Sequence, residues 1–259
     1  MNDADLQEAA NALADAEARR VPIAPLTESY PDLDLADAYA IQLRNVARRT
    51  RGDERLRGHK VGCTAVAMQE LFGVDQPDYG HLFESMFVDD GGILALDGFI
   101  SPQVEVEPAF LLERDLAGPG LTTADVTAAT AAVVPALEII DSRIADWRIK
   151  LEDTVADNGS SAAIVLGDAS IPFDPDALAD AHVELAMGGA VVEVGSTREI
   201  LGHPAIAVAW LANELARFEV TLRAGQVVLP GTCTRSAALV RGVVTGAIDG
   251  IGSVSVTVV

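Results

Sequence analysis

The chain has 259 residues, a formal net charge of −21, 49% hydrophobic residues and only 5% aromatics. That charge argues against nucleic acid or an anionic membrane surface as a partner, and an anionic substrate needs a local positive centre to bind here. The length allows one large core, or one domain with a cap, built mainly from Ala, Val, Leu and Ile.

Residues 3–20, rich in Ala, Leu, Glu and Arg, predict a helix ended by Val21-Pro22. The preceding acidic stretch has no apolar h-region, and no apolar run reaches membrane-spanning length, so cytoplasm is the expected location. Pro25, Thr27, Ser29 and Pro31 predict a loop. Asp34 is a candidate N-cap for a second helix over about 35–51, with Asp37 closing a capping-box variant. Its apolar stripe is Leu35, Ala38, Tyr39, Ile41, Gln42 and Val46; Arg44, Arg48, Arg49 and Arg51 read as a solvated face suited to the helix dipole.

Arg57-Gly58-His59-Lys60-Val61-Gly62 predicts a short strand whose glycines allow close backbone approach. Thr64 is a candidate cap for a short helix over 65–72. Gln76-Pro77-Asp78-Tyr79-Gly80 carries turn residues, and Asp78 taken alone is a turn residue or a functional acid. From residue 86 short apolar strands alternate with Gly-rich turns, the texture of a β-roll or barrel-like body. Two helices interrupt it: one over about 123–131, capped by Thr122 with Asp125 three residues on, and a buried one over 204–218 with Pro204 in its first turn. Residues 253–259 alternate Ser/Thr with Val and predict a last strand.

The acids carry the chemistry. Gln103-Val104-Glu105-Val106-Glu107-Pro108-Ala109-Phe110 alternates as a strand, so Glu105 and Glu107 point from one face. Two such carboxylates repel unless a cation lies between them, and burying them unpaired is very costly. A divalent metal with hard oxygen ligands resolves this; two solvated acids on an exposed face is the alternative. Glu138 sits in a second apolar run, Val133-Val134-Pro135-Ala136-Leu137-Glu138-Ile139-Ile140, and three carboxylates make half of an octahedral oxygen shell. Cys63 and Cys233 fit free thiols in a reducing compartment. Asn158-Gly159-Ser160 matches a glycosylation sequon, which a chain that is not secreted leaves unmodified. Dinucleotide, P-loop, zinc and nucleophile-elbow motifs are absent from the sequence.

Seven motifs stand in order: Gly58-His59-Lys60-Val61-Gly62; Gln76-Pro77-Asp78-Tyr79-Gly80; Glu105-Val106-Glu107; Glu138-Ile139-Ile140-Asp141-Ser142-Arg143; Asp153-Thr154-Val155-Ala156-Asp157-Asn158-Gly159-Ser160-Ser161; Leu201-Gly202-His203-Pro204; and Trp210-Leu211-Ala212-Asn213. As a set, from about residue 25 onward, they resemble the 2-keto-4-pentenoate (2-hydroxypenta-2,4-dienoate) hydratases and the 4-oxalocrotonate decarboxylases of the fumarylacetoacetate hydrolase superfamily. The resemblance implies an α+β fold, a mixed β-roll with an N-terminal helical cap, divided into a cap region over 1–85 and a catalytic domain over 86–259. It implies Mg²⁺ or Mn²⁺ held by Glu105, Glu107 and Glu138, with Lys60 and Asp78 catalytic. It makes Asp157, Ser160 and Ser161 a substrate-facing loop.

Asp146-Trp147-Arg148-Ile149-Lys150 followed by Asp153-Thr154 is similar to the hydratase branch. The implied reaction adds water to a 2-hydroxy-2,4-dienoate from aromatic-ring cleavage, giving a 4-hydroxy-2-oxo acid. Three alternatives stand beside it. One is a 2-oxo-3-enedioate decarboxylase using the same site. Another is an acylpyruvate-type C–C hydrolase, expected to carry a lysine where this chain has Asn158-Gly159. The last is a non-catalytic partner subunit or plain metal-binding protein. The resemblance also implies a homo-oligomer, with association with a downstream aldolase as a further expectation. Two departures from the pattern are Pro108, which predicts an edge or a bulge directly after the second ligand, and the stretch 239–244, which lacks the usual Gly-Asp turn.

Overall fold

A computed structural model of the chain describes residues 1–65, 69, 73–74, 76–168 and 174–259. Of the helix expected over 65–72 only Ala65 and Gln69 are described, the Gln69 N–H donating to the Ala65 carbonyl at 3.1 Å; the rest lies outside the described residues. The N-terminal layer is helical. Helix α1 (Asp3–Arg19) is closed by a reciprocal capping box, in which Asn2 accepts from the Asp5 N–H at 3.0 Å. A one-turn helix α2 (Leu26–Ser29) follows inside the stretch expected as a loop, and Asp34 caps α3 (Leu35–Arg51) by accepting from the Asp37 N–H. The Asp37 carboxylate does not complete a second box; the Met1 amino group donates to it at 2.6 Å. Ala9, Ala10 and Leu13 pack against Ala38 and Ile41 between the two helices. The α3 arginines are cross-links rather than a free face: Arg44 donates to Asp3, Arg48 to Asn11 and Arg49 to Glu17, all on α1.

The body is two sheets. The larger runs in the order β2 (Asp78–Phe83), β1 (Leu56–Gly62), β10 (Val227–Leu229), β5 (Gln103–Leu112), β6 (Thr130–Ile140), β7 (Ser161–Leu166), β3 (Phe87–Asp89), with β11 (Ala237–Ala238) also on β5. The smaller runs β4 (Gly92–Leu94), β13 (Gly252–Val258), β12 (Gly242–Ile248), β8 (His182–Met187), β9 (Ala190–Ser196). One face of the larger sheet supplies Val104, Val106, Leu137 and Ile139 to the main core, where they join Val244, Val254 and Leu185 of the smaller sheet. Each such side chain contributes roughly 1.5–3 kcal/mol through burial. Gly246 permits the approach of the sheets, because a Cβ there would press on Leu137 and Val106 at 2.9 and 3.1 Å. Helix α4 (Thr123–Ala129), with the expected Thr122–Asp125 box, packs on the largely buried α6 (Pro204–Leu215), with the short α5 (Leu151–Ala156) between them in the chain. The last two strands pair over seven positions despite the missing Gly-Asp signal.

Two features aim this framework at its acids. Pro108 stands opposite Pro135 in an unbroken register. Neither proline has an N–H to exchange, so this is a non-hydrogen-bonded pair and the Pro108 nitrogen faces the other side of β5. There β10 pairs with Phe110 and Leu111, β11 with Gln103 and Val104, and neither strand reaches residue 108. The proline therefore causes no bulge; it sits at a gap between two neighbours. The second feature is the edge strand β2. The Gln42 amide donates to the Tyr79 and Val155 carbonyls, and Asn158 bonds both the N–H and the C=O of His81. Side-chain amides thus occupy an edge that would otherwise attract a foreign strand. They also tie α3 and residues 155–158 to the sheet. Strands β1 and β2 fall within the 1–85 stretch expected as a cap, yet they hydrogen-bond into the larger sheet; we propose α1 to α3 as the cap proper.

Candidate metal centre and active site

The register of β5 on β6 does what sequence spacing alone cannot. Glu105 pairs directly with Glu138, and Glu107 pairs with Ala136, one step along the same face. One ligand oxygen from each of Glu105, Glu107 and Glu138 lies within 4.8 Å of the others. Glu107 and Glu138 are buried and Glu105 is partly buried. Among the described residues the Gly231 N–H donates to Glu107 at 2.8 Å, whereas both oxygens of Glu138 lack a donor. Burial, followed by the charge of Glu138, pushes the Glu105 carboxyl up to about 8, and the same two causes push the Glu107 carboxyl well above its ordinary value.

The nearest counter-charge is Lys60, whose Nζ lies 3.7 Å from Glu138 Oε2. Burial works against its charge, but Glu138, Asp78, Glu105 and Glu107 outweigh that and hold its pKa above the ordinary lysine value. Asp78 shares this face. It pairs with Gly62 across β1 and β2, while Lys60 pairs with Gly80. Burial pushes its carboxyl up, partly offset by Lys60, and its Oδ1 has no donor. Gly62 has to be glycine here, since a Cβ would collide with the Asp78 carboxylate. Four carboxylates and one ammonium leave a deficit of positive charge in a dry setting. A hard divalent cation in the three-glutamate cradle removes that deficit, and the all-oxygen donor set suits Mg²⁺, Mn²⁺ or Ca²⁺.

The expected substrate-facing loop divides. Asn158, Gly159 and Ser160 all have left-handed backbones, with φ of 57°, 61° and 56°. Such strain in two non-glycine residues persists only where the surroundings over-determine it. Here Asn158 is pinned to His81, and the Ser160 carbonyl accepts from the Asp141 N–H. The turn seats Gly159 on Lys60, where a Cβ would lie 3.0 to 3.1 Å from Cδ, Cε and Nζ. Ser160 and Ser161 are buried with hydroxyls that lack a protein partner. Asp157 has a different place from the one expected. Arg143 donates to its carboxylate from both backbone N–H and Nε, and to its carbonyl from a terminal nitrogen. Its charge is committed to holding the loop. Arg143 also donates to the Asp141 and Ser161 carbonyls, so one guanidinium fastens both ends of residues 141–161.

Sequence reasoning assigned no role to Arg143; its place at the end of the Glu138-Ile139-Ile140-Asp141-Ser142-Arg143 motif was the signal for it. A cavity of about 120 Å³ between α1, α3 and residues 156–161 is lined by Arg143, Asn158 and Ser161 among others. Its lining also includes Asp157 but neither Lys60 nor the three glutamates.

A mixed α+β body with a helical N-terminal layer and three convergent glutamates defines a class: the chain belongs to the fumarylacetoacetate hydrolase family, whose C-terminal domain model matches residues 65–259. Within that family its kinship is with the 2-keto-4-pentenoate hydratases. It is 44% identical to 2-keto-4-pentenoate hydratase of Burkholderia vietnamiensis (strain G4 / LMG 22486), over 99% of this chain and 98% of that one. It is 43% identical to 2-hydroxyhexa-2,4-dienoate hydratase of Comamonas testosteroni, over 81% and 80%. Among solved structures, 4-oxalocrotonate decarboxylase from Pseudomonas putida G7, complexed with magnesium and adipate, superposes with a TM-score of 0.94 at 32% identity, covering 100% of this chain and 99% of that one.

Proposed function

We propose that this protein is a metal-dependent hydro-lyase. It adds water to a 2-hydroxy-2,4-dienoate of the 2-hydroxypenta-2,4-dienoate type, giving a 4-hydroxy-2-oxo acid in the meta-cleavage catabolism of aromatic compounds. One observation carries the chemistry: three glutamate oxygens within 4.8 Å of one another, with Lys60 at their side. Similarity to hydratases over nearly the whole chain selects the reaction.

Glu105, Glu107 and Glu138 would hold Mg²⁺ or Mn²⁺. When bound, the ion supplies Lewis-acid polarisation for a 2-oxo carboxylate and offsets the charge of the acids. The remaining work falls to the chain's own groups. Lys60, kept cationic by its carboxylate neighbours, donates to the substrate carboxylate or C2 oxygen. The C2 hydroxyl loses its proton as C5 gains one, and the electron pair moves along the diene to leave a conjugated enone. Water then adds its oxygen to C4, and C3 takes a proton. Asp78, its carboxyl raised by burial, is the acid–base group suited to orient that water. Ser160 and Ser161 offer free hydroxyls for the far end of the substrate.

The test is to follow 2-hydroxypenta-2,4-dienoate absorbance with Mg²⁺ or Mn²⁺, then after chelation, and to identify the product. Decay that needs the metal and yields 4-hydroxy-2-oxopentanoate is the expected result; an unchanged dienoate would sink the reading. The magnesium-bound decarboxylase superposition supports a second reading, 2-oxo-3-enedioate decarboxylation, which CO₂ release from 4-oxalocrotonate without hydration would establish. We also propose a homo-oligomer working beside an aldolase that consumes the product. Cytoplasm suits its two free cysteines.

A further inference from the structure

The cavity of about 120 Å³ beneath the cap helices has no part in the chemistry described so far. Exposed Glu17 of α1 and exposed Arg48 of α3 stand at its mouth, and buried Gln42, Arg143 and Asp157 at its floor. Most of its charges are matched. Arg143 holds Asp157, and Arg49 holds Glu17 at 2.9 Å while its guanidinium lies 4.9 Å over the Phe83 ring. Arg48 is different: it donates to the neutral side chain of Asn11, and no carboxylate pairs with it among the described residues. Deeper in, the polarity reverses. Gln42 is 1% exposed and gives its amide N–H groups to the Tyr79 and Val155 carbonyls, at 3.0 and 2.8 Å. Those two bonds fix which end of the amide is oxygen, and they leave Oε1 buried without a donor. Asn45, three residues along the same face of α3, also lines the cavity and also has a buried Oδ1 without a donor. Unmet buried acceptors are costly, and two beside one cavity point to something that supplies their hydrogens.

We propose that this cavity binds a small hydroxy carboxylate. The carboxylate pairs with Arg48 at the mouth, and the hydroxyl donates to Gln42 Oε1 or Asn45 Oδ1 inside. The two ends of the cavity set the two ends of the ligand. A plain carboxylate leaves the acceptors unmet, and an amine meets Arg48 as a like charge. At about 30 Å³ per water the space equals about four waters, enough for a chain of about three to five carbons and too little for a nucleotide. The 4-hydroxy-2-oxo acid formed in the reaction proposed above carries both groups. Its place as the natural occupant rests on that reaction; the site and its ligand class do not. Asp157 and Asn158 join the cavity to the turn that seats Gly159 on Lys60, so an occupied cavity bears on the ammonium from outside the metal centre.

The test is calorimetric titration of the full-length, metal-free protein with 4-hydroxypentanoate, which lacks the 2-oxo group that chelates a metal, and with pentanoate beside it. 4-Hydroxypentanoate should bind with a Kd below about 10 mM, and pentanoate about tenfold more weakly. Arg48→Ala and Asn45→Leu should each weaken 4-hydroxypentanoate about tenfold with an unchanged circular dichroism spectrum. Arg48 is exposed, so its variant decides the matter should Asn45→Leu fail to fold. Glu138→Gln, at the metal centre, should bind 4-hydroxypentanoate as wild type does. In the metal-loaded enzyme the same ligand should lower kcat without raising KM. No binding, equal binding of pentanoate, undiminished binding in either folded cavity variant, loss of binding in Glu138→Gln, or a rise in KM alone would overturn the proposal. A protein that binds as expected but leaves the dienoate unchanged would sink the proposed reaction and uphold this site.

Discussion

Glu138 is fully buried with neither oxygen hydrogen-bonded, so it contributes to function at the cost of stability. Glu138→Gln should abolish the metal-dependent rise in melting temperature and most of kcat. It should also make the metal-free protein more stable by about 1–3 kcal/mol, because one repelling charge is gone. Paired melts with and without Mg²⁺ read both effects, and a variant that keeps the metal-dependent gain would remove Glu138 from the ligand set. Gly159 is constrained twice, by a φ of 61° and by Lys60. Gly159→Ala should cost about 1–2 kcal/mol of backbone strain and displace the ammonium, lowering kcat more than it raises KM. An unchanged kcat would mean that the position of Lys60 is not critical. At this scale the acids were legible because a period of two leaves Glu105 and Glu107 no choice but a common face. The pairing of Glu105 with Glu138 was not legible, since only the register of two strands separated by α4 decides it.

Among the elements, residues 141–161 depend on one guanidinium. Arg143 and Asp157 are both buried, and their pairing anchors the left-handed turn that touches Lys60. Arg143→Ala strands the Asp157 carboxylate and should cost about 3–5 kcal/mol. Arg143→Ala/Asp157→Ala should recover part of that loss, giving a coupling energy measurable by denaturant unfolding. Additive single-variant losses would show the two groups to be independent. The capping residues Asp34 and Thr122, the buried α6 and the strand alternation were all readable, because each is a local preference. The place of Asp157 was not. A buried acid beside glycine and serines reads as substrate-facing until the arginine fourteen residues earlier folds back onto it.

Over the whole molecule, the acid limit of stability should be set in part by two buried imidazoles. His59 and His81 lie with ring centroids 5.0 Å apart. Burial lowers both, His81 to about 4 and His59 well below its ordinary value, with the charge of His81 adding to the effect on His59. A folded-state value below the unfolded one gives stability that is present above about pH 6.5 and lost as pH falls through the folded value. Stability should therefore decline from about pH 6.5 toward pH 4, with roughly 3 kcal/mol carried by His81 alone. His81→Gln should flatten that limb in melts across the range, and an identical slope in variant and wild type would refute the assignment. No helix among the described residues is long and apolar enough to cross a membrane.

The sequence by itself determined the helical start, the strand-rich body, the three acids and the family, because periodicity, caps and ordered motifs are properties of neighbouring residues. Tertiary structure alone decided the rest. It placed β1 and β2 in the main sheet, set Pro108 harmlessly at a gap and turned Asp157 to Arg143. Each of these outcomes depends on which distant segment lies opposite, and that choice belongs to the packing of the whole chain.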